Sequence, residues 1–128
     1  MTEQLVSTFR SIVGQRHVLV GDRSTRRYRK GYRYGDGQVV AVVRPGTLVE
    51  KWRALKACVE AGVIVIIQAA NTGLTGGSTP FGDGYDRPIV IINTMRISRV
   101  DLISGGSQVI ALPGATLDKL EKTLRPVG

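Results

Sequence analysis

The sequence predicts an α+β fold, a small mixed β-sheet with covering helices, and three observations carry that expectation. Apolar, largely β-branched runs at 39–43, 63–68 and 88–93 read as buried strands, each far too short to cross a bilayer. Segments with apolar residues at helical spacing lie before, between and after them. Glycine and proline turn signals separate one element from the next. At 128 residues the chain is about one domain, with enough apolar content to bury a core.

Taken in order, Leu5, Phe9, Ile12 and Val13 recur at helical spacing and Gly14 follows as a capping residue, so Glu3–Val13 is expected to be a short amphipathic helix. His17–Val20 is expected to form a short strand or a docking turn. As the single histidine, His17 has no second imidazole with which to build a metal site. A basic run follows, ending at the turn signal Gly35-Asp36-Gly37. Val39–Val43 is a strand that Arg44-Pro45-Gly46 breaks. Thr47 with Glu50 three residues on makes a capping box, opening a helix through Leu48, Trp52, Leu55 and Val59 that Gly62 closes. With the strand Val63–Gln68 this is a β-α-β unit, for which a right-handed crossover is expected.

Pro88–Asn93 reads as a further buried strand, and Arg99–Ser104 with Gln108–Leu112 as a hairpin around Gly105-Gly106. Pro113-Gly114 repeats the strand-breaking device, and Leu117, Leu120 and Leu124 mark a closing helix capped by Thr116. Arg125-Pro126-Val127-Gly128 comes directly after that helix, where a further element of an α+β layer is expected.

The loop Ala69–Pro80, at the end of the Val63–Gln68 strand, is the stretch around which the rest is arranged. Small residues and glycines let a backbone approach a ligand closely, and successive N–H groups can converge on one anion as a nest. A P-loop is excluded, because no lysine lies between Lys56 and Lys119. Gly73, Gly76 and Gly77 have the wrong spacing for a dinucleotide-binding fingerprint. An anion here would be held by main-chain amides and the hydroxyls of Thr72, Thr75, Ser78 and Thr79, with no cation inside the loop. The plainer alternative is a glycine-rich surface connection.

The net charge of +8 is concentrated. Arg23, Arg26, Arg27, Arg29, Lys30 and Arg33 are interleaved with Tyr28, Tyr32 and Tyr34, a mixture that suits stacking on bases or arginine–phosphate forks. It suits equally a solvated face, an anionic leaflet or an acidic partner. No recognition-helix, RRM or zinc signature accompanies it, so a basic nucleic-acid-binding module is the rival of another class. The single Cys58 excludes a disulfide framework and reads as a small buried hydrophobe. Met-Thr-Glu-Gln-Leu opens no secretory signal, and no run is long enough for a transmembrane helix.

Several of these features come together in a resemblance. Pro45-x-x-x-x-Glu50 opening a helix, the glycine-rich loop, Ile89-Val90-Ile91-Ile92-Asn93 with Met95 after it, and Val109-x-x-x-Pro113-Gly114-x-x-Leu117-x-x-Leu120 resemble the first half of the flavin-binding domain of the vanillyl-alcohol oxidase/p-cresol methylhydroxylase superfamily. Tyr28-Arg29-Lys30-Gly31-Tyr32-Arg33, Trp52-Arg53-x-Leu55-Lys56-Ala57-Cys58, Gln68-Ala69-Ala70-Asn71-Thr72-Gly73-Leu74-Thr75, Gly77-Ser78-Thr79-Pro80 and Tyr85-Asp86-Arg87 look, more particularly, like the bacterial quinone-dependent D-lactate dehydrogenases.

The resemblance implies FAD as cofactor, its diphosphate wrapped by Ala69, Ala70, Asn71, Thr72, Gly73, Gly77 and Ser78. It implies an N-terminal part of the flavin-binding domain, with residues 1–38 as helix and basic segment and 39–128 as the first flavin-binding subdomain. The parent enzyme would oxidise D-lactate to pyruvate and pass the electrons through FAD to a membrane quinone in the respiratory chain. It would sit as a peripheral protein on the cytoplasmic face of the bacterial inner membrane. A flavoenzyme of the same superfamily acting on another 2-hydroxy acid is the nearer rival. No position here matches the family's substrate residues, so no catalytic residue and no metal ligand is assigned. This segment alone is expected to be inactive, and nucleic acid is not an expected partner.

Overall fold

The computed structural model describes residues 2–128. At its centre is a four-stranded sheet in the spatial order β1 (Val18–Leu19), β2 (Ala41–Val43), β4 (Ile89–Asn93), β3 (Ile64–Gln68). β1 runs antiparallel to β2, while β4 is parallel to both β2 and β3, so the sheet is mixed as expected. β2 and β3, consecutive in the β-α-β unit, are not neighbours; β4 inserts between them. That placement explains the unbroken Ile-Val-Ile-Ile run of β4. A strand paired on both edges and covered on both faces has no wet side, and all five of its residues are buried.

Helices α1 (Thr2–Val13) and α3 (Leu48–Ala61) cover one face. Leu5, Phe9 and Val13 of α1 pack with Ala54 and Cys58 of α3 onto Ala41, Val43, Val90 and Ile92. Burial pushes the Cys58 thiol up to about 12, so it remains protonated and apolar in character. Helix α3 begins at the expected cap, with Thr47 Oγ1 accepting from the Glu50 N–H at 3.1 Å. Glu50 reaches back to the Gly46 N–H rather than to that of Thr47, and Gly62 closes the helix in the left-handed region at φ 69°. The apolar stripe Leu48, Trp52, Leu55 and Val59 lies outward, with Trp52 59% exposed. The inward face is made of small residues, which lets α3 lie close to the sheet and to α1.

The other face carries helix α2 (Asp22–Arg29) and the loop after β3, since Gln68 Nε2 donates to the main chain of both, at Tyr28 O (2.6 Å) and Ser78 O (2.9 Å). The sequence signals no helix over 22–29, because there is no apolar stripe to find: the buried residues of α2 are Thr25 and Arg29. Arg29 is 8% exposed and forks between Asp22 (2.5 Å) and Asp36 (2.9 Å). The basic run is thus not one solvated face. One of its arginines is an internal tie between α2 and the turn at Asp36.

Beyond the sheet, β5 (Val100–Ile103) and β6 (Gln108–Ala111) form a separate antiparallel hairpin, with Ser104, Gly105 and Gly106 all at positive φ in its connection. Gly114 docks this hairpin on the segment after β4. Its N–H donates to Ile97 O at 2.7 Å, and a Cβ there would overlap the carbonyl oxygen of Thr94. Helix α4 (Leu117–Leu124) is capped by Thr116, and its Leu117 is 84% exposed.

Candidate functional site

The carboxyl ends of β3 and β4 meet in a buried polar cluster. Gln68 and Asn93 are register partners, and Asn93 Nδ2 donates to Gln68 Oε1 at 2.9 Å and to Ala69 O at 3.1 Å. Thr94 Oγ1 lies 3.3 Å from Gln68 O and 3.2 Å from Pro113 O. Buried amides are tolerable only when their hydrogen bonds are satisfied, and here the satisfied bonds fix where the chain leaves the sheet. The loop after β3 departs from a rigid base.

The loop itself is held by its own side chains. Asn71 sits in the left-handed region at φ 57°, a conformation Asn accepts more readily than other residues with a Cβ. Its Nδ2 donates to Lys30 O (2.8 Å) and its Oδ1 accepts from Ser78 Oγ (2.8 Å), so the two arms of the loop are tied together and to the segment after α2. Among the described residues, the main-chain N–H groups from Ala70 to Ser78 find no acceptor within the protein. Two left-handed residues, Asn71 and Gly76, bracket this run of free N–H groups, which can turn toward one anion.

The glycines of the loop divide into two kinds. Gly76 is at φ 74° and lies against the main chain of Tyr34, which is reason enough for glycine there. Gly73 and Gly77 are not at positive φ, and a Cβ would meet nothing within 4 Å at Gly73 and only Thr75 Oγ1, at 3.9 Å, at Gly77. Within the chain, nothing requires glycine at either place. Both leave open space beside an uncommitted backbone.

A cavity of about 300 Å³ opens at this end of the sheet. The start of the loop, Ala69–Asn71, lines it together with Gln68, Asn93 and Met95 and with Arg27, Tyr28, Arg44 and Arg96. Arg44 is braced by Tyr28 Oη (3.2 Å) and Arg16 O (2.8 Å), and Arg96 Nη1 donates to Arg44 O at 2.6 Å. His17 registers the same field. Its pKa is lowered from 6.5, first by burial and then by Arg96, Arg44 and Arg16, against an opposing pull from Glu50.

Of the residues singled out in the sequence, Ala69, Ala70 and Asn71 line the cavity, and Ser78 is joined to Asn71. Thr72, Gly73 and Gly77 lie on exposed parts of the same loop. The expected hydroxyl of Thr79 is directed elsewhere: Thr79 is buried, with Oγ1 packed where a Gly35 Cβ would be. The expectation of no cation inside the loop holds, yet three guanidiniums reach the cavity from outside it. Arg44 stands just past β2 and Arg96 just past β4, so only the pairing of β2 with β4 makes them neighbours. Among the described residues, no His/Cys/Asp/Glu cluster could hold a metal ion, and no helix is long and apolar enough to cross a membrane.

No family model matches the chain. Over 126 residues it is 58% identical to the quinone-dependent D-lactate dehydrogenase of Haemophilus influenzae, covering 98% of this chain and 22% of the relative. It is 55% identical over 117 residues to the enzyme of the same name from Escherichia coli K12, covering 91% and 20% respectively. The chain therefore spans about a fifth of the length of the curated relatives it matches. Among solved structures, p-cresol methylhydroxylase with substrate bound superposes with a TM-score of 0.76 at 18% identity, over 98% of this chain and 24% of that one. An alkyldihydroxyacetonephosphate synthase superposes with a TM-score of 0.84 at 15% identity, over 98% and 25%. The fold is that of the p-cresol methylhydroxylase type, and the resemblance read from the sequence motifs to the quinone-dependent D-lactate dehydrogenases is borne out.

Proposed function

We propose that this chain is the N-terminal part of the FAD-binding domain of a quinone-dependent D-lactate dehydrogenase, and that the loop Ala69–Ser78 cradles the diphosphate of the flavin. Residues 1–38 supply α1 and the basic segment, and residues 39–128 form the first flavin-binding subdomain. The observation that carries the reading is the pair Gly73 and Gly77. Each is free of internal contact and of positive φ, and each stands where a ligand's closest approach would account for the missing side chain. The relatives' name supports D-lactate and a quinone as the substrates of the whole protein.

In this reading Ala69, Ala70, Asn71, Thr72, Gly73, Gly77 and Ser78 hold the diphosphate through main-chain donors. Asn71 and Ser78 brace the loop, so the donors are preorganised before the cofactor arrives. When bound, FAD supplies the two-electron acceptor that oxidation of a 2-hydroxy acid to a 2-oxo acid requires. This chain's own residues bind and orient; they move no proton. Association with the bacterial inner membrane as a peripheral protein of its respiratory chain belongs to the same proposal.

The test is flavin retention by the full-length protein carrying Gly73→Ala or Gly77→Ala. Because a Cβ at either site strains nothing in the chain, the substitution leaves the unfolding midpoint unchanged and lowers retained FAD at least severalfold. Full retention in both variants removes the loop from the site. Turnover of D-lactate against other D-2-hydroxy acids then decides the substrate.

A further inference from the structure

The cavity beside the loop carries more positive charge than its own structure uses. Arg29 shows what this chain does with a guanidinium that is structural: it is buried and forked between two carboxylates. Arg27, Arg44 and Arg96 are different. Among the described residues none of the three has a carboxylate within salt-bridge distance, although all three line one cavity. Arg44 Nε is buried without a partner. The nearby acid, Glu50, is committed to the Gly46 N–H at the start of α3. Three unpaired like charges around one cavity repel each other, and that repulsion is relieved by an anion placed among them.

Arg44, half-buried, and Arg96, exposed, are also held in place without one. Arg44 is fixed by a phenol and a carbonyl, and Arg96 by the Arg44 carbonyl and by close packing on Gly46, where a Cβ would come within 2.7 Å of Arg96 Nη2. A planar guanidinium fork matches two oxygens of a phosphate, and a braced fork loses little freedom on binding it.

We propose that Arg27, Arg44 and Arg96 form the cationic wall of the cradle, opposite the main chain of Ala69–Asn71, so that a diphosphate is gripped by guanidiniums on one side and amides on the other. The inference deepens the flavin reading and rests on it for the identity of the ligand. It adds what the loop lacks, since main-chain dipoles alone leave the charge of a diphosphate uncompensated.

The experiment titrates the full-length apoprotein with FAD, inorganic pyrophosphate and riboflavin, in wild type and in Arg27→Gln, Arg96→Gln and Arg96→Lys. Among the described residues Arg27 makes no hydrogen bond or ion pair, only a cation–π approach to the half-buried Tyr28 ring at 5.5 Å, so its replacement keeps the test valid should the Arg96 variants misfold. We expect Arg96→Gln to weaken FAD and pyrophosphate by roughly tenfold to a hundredfold, the range of a lost charge-assisted hydrogen bond. Arg27→Gln acts in the same direction with smaller effect, Arg96→Lys lies between wild type and Gln, the dependence of affinity on salt becomes shallower, and riboflavin binding is unaltered. Unchanged FAD affinity and salt slope in both Gln variants, with the fold intact, overturns the cationic wall and leaves the flavin reading standing. Pyrophosphate binding that depends on the arginines in a protein that takes no FAD supports the wall and overturns the flavin. Absence of both overturns both.

Discussion

Asn93 donates its side-chain amide to Gln68 across the β3–β4 pair, and Gln68 spends its own amide protons on the carbonyls of Tyr28 and Ser78. One side chain, 1% exposed, therefore joins the sheet, helix α2 and both ends of the loop. Replacing Gln68 by Leu keeps the volume and orphans two carbonyls, at about 1–3 kcal/mol for each unsatisfied group. We expect a loss of about 2–6 kcal/mol on that scale, read as a lower urea midpoint, with faster protease cleavage between Ala69 and Pro80. A midpoint within experimental error of wild type would show that the loop is anchored by something else.

Arg29 tests helix α2. Arg29 is buried while its partners Asp22 and Asp36 are largely exposed, so removing it costs the packing of its stem and two charge-assisted hydrogen bonds, with the carboxylates left to solvent. Arg29→Ala is expected to lower stability by about 1–2 kcal/mol, whereas Arg26→Ala, exposed on the same helix, changes it by less than about 0.5 kcal/mol. Equal effects at the two positions would mean that the basic run is solvated throughout.

The contrast between α2 and its neighbours shows which parts of this fold are legible in the amino-acid sequence. Strands β2, β3 and β4 announce themselves through apolar β-branched runs, and α3 and α4 through Thr caps whose bonds the structure contains. Helix α2 has no such signal, because it is attached through Thr25 and Arg29 rather than through an apolar face. The outward aim of Trp52 is likewise hidden: spacing identifies a stripe, and only packing tells which stripe faces in. The loop that forms the candidate site could be found, since its composition is local. The arginines around it could not, because Arg27, Arg44 and Arg96 belong to three separate segments: the pairing of β2 with β4 brings Arg44 and Arg96 together, and the docking of α2 through Gln68 adds Arg27.

Gly114 is the tightest point between the hairpin and the sheet. Gly114→Ala drives a Cβ into the Thr94 carbonyl, backbone against backbone, so the segment after β4 must shift. The expected loss is about 2–4 kcal/mol, in the range of overpacked and strained sites. Gly62→Ala provides the comparison. It has open space but a left-handed φ of 69°, and should lose only about 1 kcal/mol. Thermal midpoints of the two variants in the reverse order would contradict the close approach.

His17 converts the arginine field into a pH dependence. Burial and the guanidiniums of Arg96, Arg44 and Arg16 lower its pKa beneath 6.5, so the folded state resists a proton that the unfolded chain accepts. With more protons bound in the unfolded state, stability rises with pH across this window. The contribution is fully present above 6.5 and is lost as pH falls through the lowered folded value. His17→Gln, which cannot titrate, should flatten the stability profile below that point; parallel profiles for variant and wild type would exclude His17 as the source. The same imidazole also senses the cavity. Inorganic pyrophosphate seated among Arg44 and Arg96 compensates their charge and moves the His17 pKa back up, a change that an NMR titration of the single histidine follows directly.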